Sequence, residues 1–271
     1  MKDKLKDKVV IITGASSGIG EALVKHLALE GCKLVITARN IEKLNKLVNN
    51  LKSTTEIVAV KADVSIEADC KNIIQEAINN FGNIDILINN AGISMRAIFE
   101  ELDLSVIHRL MNTNFWGTVY CTKYALPYLL KTKGSVVGVS SIAGYKGLPA
   151  RTGYSASKFA MHGFLEVLRI ENLKKGLHVL IACPGFTKSN IRNTALAKDG
   201  EAQGESPRDE NKMMSAEEVA IHITNAIIKR KNSLILTTQG KMTVWLNKFF
   251  PSLVDKLVYN HIAKEPGSPF K

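Results

Sequence analysis

The stretch KVVIITGASSGIG, Lys8–Gly20, runs an unbroken apolar segment, Val9–Ile12, into a glycine-rich turn and then resumes apolar periodicity. A short β-branched run without polar alternation reads as a strand buried on both faces. Residues 19–30 carry their apolar side chains at helical spacing. Between the two lies a Gly-x-x-x-Gly-x-Gly turn, Gly14, Gly18 and Gly20. Glycine lets a backbone turn tightly and approach a ligand, and the helix behind it offers free N–H groups and the positive end of its dipole. Strand, turn and helix together form a cradle for a pyrophosphate, with Gly14, Ser16, Ser17, Gly18, Ile19 and Gly20 facing it. A structural turn without ligand is the alternative.

Similar apolar runs recur at 33–38, 57–60, 84–90, 135–141, 178–183 and 233–238, making seven with the first at 8–14. Helical spacing fills the intervals at 41–52, 67–81, 103–131, 153–174 and 215–230. Regular alternation of strand and helix predicts an α/β fold, a doubly wound seven-stranded parallel sheet with helices on both faces. Ligands of such sheets bind at the carboxyl ends of the strands. No linker or composition shift divides residues 1–240, which read as one domain. The polar stretch 197–212 is too long for an ordinary connection, and reads either as a mobile lid or as disorder.

Composition places the chain among ordinary globular proteins: 271 residues, 45% hydrophobic and 23% charged. The amino terminus alternates charges before its first apolar run, so neither a signal peptide nor a spanning helix is expected and the reading is cytoplasmic. Cys32, Cys70, Cys121 and Cys183 form no C-x-x-C pair and read as reduced core thiols. The six histidines form no ligand cluster, so no metal is expected. The net charge of +11 is concentrated late, eight Lys and Arg from Lys229 to Lys271 standing against Asp255 and Glu265. No helix-turn-helix or stacked-aromatic pattern accompanies it, so nucleic acid is not an expected partner.

Two further stretches carry chemistry. In YSASK, Tyr154 stands four residues before Lys158, which on a helix brings a phenol and an ammonium to one face. At the end of the second strand, ITARN has Ala38 and Arg39 where a fold preferring NAD places an acid for the ribose 2′-hydroxyl. A guanidinium there suits a 2′-phosphate and hence NADP, or else is a solvated charge.

TGASSGIG, NNAG (89–92), the serines 140–141, YSASK (154–158) and PG (184–185) stand in the order found in the short-chain dehydrogenase/reductase family, which residues 7–238 resemble. The resemblance implies a single-domain Rossmann fold and an NADP(H)-dependent oxidoreductase acting on a carbonyl or secondary alcohol. It implies that Tyr154 is the acid/base, Lys158 its modulator, Ser141 the substrate-orienting hydroxyl, and Asn114 the member that bends its helix and holds a water behind the lysine, with Asn112 as competitor. A free phenol titrates at about 10, so work near neutrality needs stabilisation of the phenolate by such a cation. Ser140 is read as structural. Asp63 and Val64 would bind adenine, unless Asp63 merely caps the next helix. Asn90, Ala91 and Gly92 would flank the adenosine ribose, while Pro184, Gly185 and Thr187 would turn beneath the nicotinamide. Met95, Tyr145, Phe186 and the 190–212 segment, within a substrate loop of about 186–214, would border the substrate. Rival readings are a dinucleotide-sensing regulator without turnover and a sugar-nucleotide epimerase, whose glycine spacing and longer substrate domain differ.

The chain departs from the pattern after residue 240. Residues 241–271 form an apolar, basic extension, with Val244, Trp245, Leu246, Phe249, Phe250, Leu253, Val254, Leu257 and Val258 at near-helical spacing and Pro251 interrupting them. It resembles the extensions of members acting on steroids, retinoids and other lipids, and implies a largely apolar substrate. Three readings follow in order: a cover for pocket or core, a dimer surface, and a peripheral membrane contact. A homodimer or homotetramer is the expected assembly.

Overall fold

The computed structural model describes residues 4–188, 190–204 and 213–270. Seven strands form one parallel sheet: β1 (Val9–Thr13), β2 (Lys33–Ala38), β3 (Ile57–Lys61), β4 (Ile86–Asn89), β5 (Ser135–Val139), β6 (His178–Cys183) and β7 (Ser233–Ile235). Their order is β3-β2-β1-β4-β5-β6-β7, so the winding reverses between β1 and β4. β1 pairs with β2 from Val9 beside Lys33 to Thr13 beside Thr37, and with β4 through Val10, Ile11 and Ile12.

Side chains of β1 alternate between two cores, because successive strand residues point to opposite faces. Val10 and Ile12 pack under α1 (Gly18–Leu29), α2 (Ile41–Leu51) and α7 (Ala216–Ile228). Ile11 packs under α3 (Glu67–Phe81), α5 (Gly117–Lys131) and α6 (Thr152–Glu171). Each such fully buried Ile or Leu stabilises the fold by about 2 kcal/mol. A third, smaller cluster of Met95, Ala97, Leu102, Val106, Leu110 and Leu196 sits over the carboxyl ends of the strands, with Tyr154 against it.

Three details differ from the sequence reading. The expected helix 103–131 is α4 (Leu104–Leu110) and α5 joined by a π-helical turn, Met111–Trp116. Apolar spacing continues across the join, which hides it in the sequence. The seventh strand stops at Ile235 rather than 238, because Thr237 turns to φ 65° and its side chain caps α8 (Thr238–Phe249) by accepting the Gly240 N–H at 3.1 Å. In the polar stretch, residues 197–204 are folded onto α4: Arg109 donates to the Gly200 carbonyl at 2.8 Å and the Asp103 N–H to the Lys198 carbonyl at 2.9 Å. The remainder of that stretch, 205–212, and Ser189 of the expected substrate loop lie outside the described residues.

Beyond α8, Pro251 occupies the first turn of α9 (Pro251–Ala263), where its missing N–H costs nothing. Val254 and Ile262 are buried, and the final segment reaches back so that Arg96 meets Glu265 at 3.5 Å and donates to the Pro266 carbonyl at 2.9 Å. Among the described residues no helix is long and apolar enough to cross a membrane.

Candidate active site

The glycine turn lies at the point where the sheet reverses. Gly14 and Gly18 take φ of 65° and 56°, the left-handed region that glycine enters without strain. A Cβ on Gly20 would stand 2.2 Å from the Gly14 carbonyl oxygen, so α1 can enter this close only without a side chain there. Ser17, extended at the helix start, makes no side-chain capping bond. The first-turn N–H groups of α1 are thus left to a ligand or to solvent. Asn90 braces the turn from β4: its amide donates to the carbonyls of Thr13 at 2.9 Å and Gly14 at 3.1 Å, while the Asn90 and Ala91 N–H groups both donate to the Thr13 hydroxyl at 3.0 Å.

Along the carboxyl edge of β2 and β3, Arg39 is exposed just before Asn40, which caps α2 by accepting the Lys43 N–H. Asp63 does not cap α3. Its carboxylate accepts from the N–H and hydroxyl of Ser65 at 2.9 and 2.7 Å, a local turn, while Ile66 holds the cap position. Val64 packs its side chain against Gly117, where an added Cβ would lie 2.8 Å away.

On the other side of the switch point, α6 grips the end of β5 with three side chains spaced one turn apart. The Ser141 hydroxyl stands near the Tyr154 phenol and pulls its pKa down, and it caps a short turn by accepting the Ala143 N–H at 3.1 Å. Lys158, buried, donates from Nζ to the Val139 carbonyl at 3.0 Å. His162, also buried, bonds through Nε2 to the Ser140 hydroxyl at 2.7 Å, with Tyr145 edge-on to its ring at 4.6 Å. Lys158 and His162 therefore fix Val139 and Ser140, one and two turns beyond Tyr154. Burial pushes the Lys158 ammonium down from 10.5 to about 8. The His162 imidazole falls to about 4, from burial and then from repulsion by Lys158.

Burial raises the Tyr154 pKa above its ordinary value; the Ser141 hydroxyl and the Arg151 guanidinium pull against it. Lys158 Nζ stands 5.8 Å from the centroid of the phenol ring.

Asn114 is the buried asparagine of the π-helical turn, and Asn112 is exposed. Its carboxamide accepts from the Ile93 N–H at 2.8 Å and donates to the Ile93 carbonyl at 3.0 Å and the Ser157 hydroxyl at 2.9 Å. Ser157 passes the contact on to the Tyr154 carbonyl at 2.8 Å. The side chain of Asn114 thus ties the segment after β4 to α6 rather than bonding Lys158. Gly92 leaves room beside both, since a Cβ there would be 3.2 Å from Asn114 Oδ1 and 3.6 Å from Lys158 Nζ.

After β6, Pro184 is buried and Gly185 has φ 77°. The Thr187 hydroxyl is buried with no hydrogen-bond partner among the described residues. Met95 is fully buried under Tyr154, Phe186 is exposed, and Tyr145 directs its hydroxyl to Ser233 at 3.4 Å. His162 and Ser157 were not singled out by sequence reasoning; their only signal is polarity on a helix face whose other residues turn inward.

A nucleotide-type glycine turn and a half-buried tyrosine beside a buried lysine at one sheet edge define a dehydrogenase of the α/β class. The family model for short chain dehydrogenase matches residues 8–200, and the chain belongs to that family, a family of oxidoreductases. It is 38% identical over 255 residues to 11-beta-hydroxysteroid dehydrogenase-like 4A of Arabidopsis thaliana, covering 93% of this chain and 84% of that protein. Dehydrogenase/reductase SDR family protein 7-like of Dictyostelium discoideum is 36% identical, over 94% of this chain and 81% of its own. Among solved structures, a short chain dehydrogenase/reductase from Burkholderia phymatum in complex with NAD superposes with a TM-score of 0.83 at 24% identity, over 92% of this chain and 96% of that one. An alcohol dehydrogenase from Thermococcus sibiricus complexed with 5-hydroxy-NADP gives 0.73, also at 24%, over 84% and 94%.

Proposed function

We propose that the protein is an NADP(H)-dependent oxidoreductase that interconverts a carbonyl and a secondary alcohol on a largely apolar molecule, in the cytoplasm and as a homodimer or homotetramer. The observation that carries this reading is the convergence of Tyr154, Ser141 and Lys158 at the sheet edge beside the open glycine turn. The residues fit a dinucleotide: the uncapped start of α1 suits its pyrophosphate, and the orphaned Thr187 hydroxyl suits a carboxamide. A bound nicotinamide would supply or accept the hydride.

This chain's residues do the rest. Tyr154 gives its proton to the substrate oxygen as charge develops there, and Ser141 donates a hydrogen bond to the same oxygen. Lys158 holds the ribose hydroxyls and, once hydrogen-bonded there, keeps its charge beside the phenol. Asn114 holds the segment after β4 against α6. Arg39 selects the 2′-phosphate, and Asp63, Val64, Asn90, Ala91, Gly92, Pro184 and Gly185 line the remaining cofactor path. Relatives named as hydroxysteroid dehydrogenases support an apolar substrate of that class. So does the apolar cluster of Met95, Val106, Leu110 and Leu196 around Tyr154. The test is NADPH oxidation with a panel of aliphatic, aromatic and steroidal ketones. Turnover that rises with apolar size supports the reading; binding of NADPH with no ketone turned over would favour a nucleotide-sensing regulator.

A further inference from the structure

The helices α8 and α9 bury one side and leave the other unpartnered. Met242, Trp245 and Phe249 follow one another at i, i+3 and i+7 along α8, and Phe250, Leu253 and Leu257 repeat that spacing into α9. All six are exposed, from 49% at Leu253 to 62% at Phe249, although they include two phenylalanines and one of the chain's two tryptophans. The two rows meet at the Phe249–Phe250 corner, where the Trp245 and Phe249 rings lie 5.5 Å apart. An apolar face of this kind on a soluble chain marks a contact surface.

Charge decides between occupants. Lys241, Lys248, Lys256 and Lys264 surround the rows, all exposed and none paired with a carboxylate among the described residues. The single acid of these helices, Asp255, is held by Lys146 at 2.5 Å. A two-fold interface would set these lysines against their own copies, and like charges across an interface repel. The outer face of α6 and the turn after it differ: Phe159, Val167 and Ile170 on the helix and Leu173 beyond it are exposed among both signs of charge, with Glu166 and Glu171 followed by Lys174 and Lys175. A mixed face can pair with itself. A one-signed face ringed with aromatic and aliphatic side chains fits an anionic lipid surface, with the rings in the headgroup region and the lysines on the phosphates.

We infer that the α8–α9 hairpin docks the enzyme on anionic phospholipid. The hairpin also flanks the turn that follows Ser141: a Cβ on Gly240 would lie 3.0 Å from Ile142, Asn247 donates to the Tyr145 carbonyl at 3.2 Å, and Asp255 holds Lys146. Docking brings this rim of the site to the lipid boundary, where apolar molecules are concentrated. The surface stands on its own residues and does not depend on the reaction proposed above.

Sedimentation of the full chain with vesicles of phosphatidylcholine, with and without phosphatidylserine, tests it. The expected result is more than about tenfold stronger binding to the anionic vesicles at low salt, lost at high salt. The double variants Trp245→Glu/Phe249→Glu and Lys248→Glu/Lys256→Glu should each abolish binding while keeping the thermal midpoint of the unsubstituted chain. Brominated lipid should quench tryptophan emission in the full chain and much less in Trp245→Phe. Equal binding to neutral vesicles, or binding untouched by both double variants, overturns the proposal. So does self-association in solution that Trp245→Glu/Phe249→Glu removes while vesicles bind neither form. Turnover of a small water-soluble ketone, measured without lipid, reports on the reaction separately, so either reading can fail alone.

Discussion

At the residue scale, the most informative groups are buried ones whose titration is displaced. His162 is held near pKa 4 against an ordinary 6.5, so the unfolded chain binds its proton first as pH falls. Stability should therefore drop between pH 6.5 and 4, by about 3 kcal/mol from this group. His178, also lowered by burial, adds to the same trend. Urea unfolding at neutral pH and in mild acid should show the loss, and His162→Gln should reduce it; an unchanged acid slope in that variant would contradict the assignment. Lys158 behaves alike in its own window: depressed to about 8, it makes stability rise with pH between 8 and 10.5. Neither effect was legible in the sequence. The Tyr154–Lys158 spacing identifies a shared helix face, but not how far each group is desolvated, and desolvation is what raises the phenol and lowers the ammonium.

At the scale of elements, the seven strands and the glycine turn were readable because β-branched runs and glycine at a left-handed φ are local signals. Gly20→Ala tests the tightest of them. The new methyl would meet a backbone oxygen at 2.2 Å, so α1 must shift, and nucleotide affinity should fall at least about tenfold in a fluorescence titration. Arg39→Ala tests the reading of β2's end. Loss of a charge-assisted contact should weaken NADPH binding by roughly ten- to hundredfold and leave NADH unchanged; equal weakening of both would remove Arg39 from the 2′-phosphate. Less was legible where tertiary contacts override local pattern. The π-helical turn around Asn114 is hidden by continuous apolar spacing, and Thr237 ends its strand early because α8 needs a cap. Asp63 looks like a cap from its position, yet spends its carboxylate on Ser65.

At the scale of the molecule, the carboxyl-terminal helices are where apolar spacing said least, since it cannot tell a buried row from one left open. Val254 and Ile262 face inward while Trp245 and Phe249 do not. Removing residues 265–271 should free the segment around Arg96, which their ends now hold, and so loosen the Met95–Leu196 contact over Tyr154. The Michaelis constant should rise more for large apolar ketones than for small ones; an unchanged substrate profile would place this segment outside the site. The central claim, that Tyr154 completes hydride transfer to a carbonyl, is tested most directly by following label from deuterated NADPH into the alcohol formed from an apolar ketone, in the unsubstituted chain and in Tyr154→Phe. The expected result is deuterium on the carbinol carbon, with a rate at least about a hundredfold lower in the variant while NADPH affinity is retained. Label transfer at near-normal rate in Tyr154→Phe, or none in the unsubstituted chain with any ketone, would contradict it.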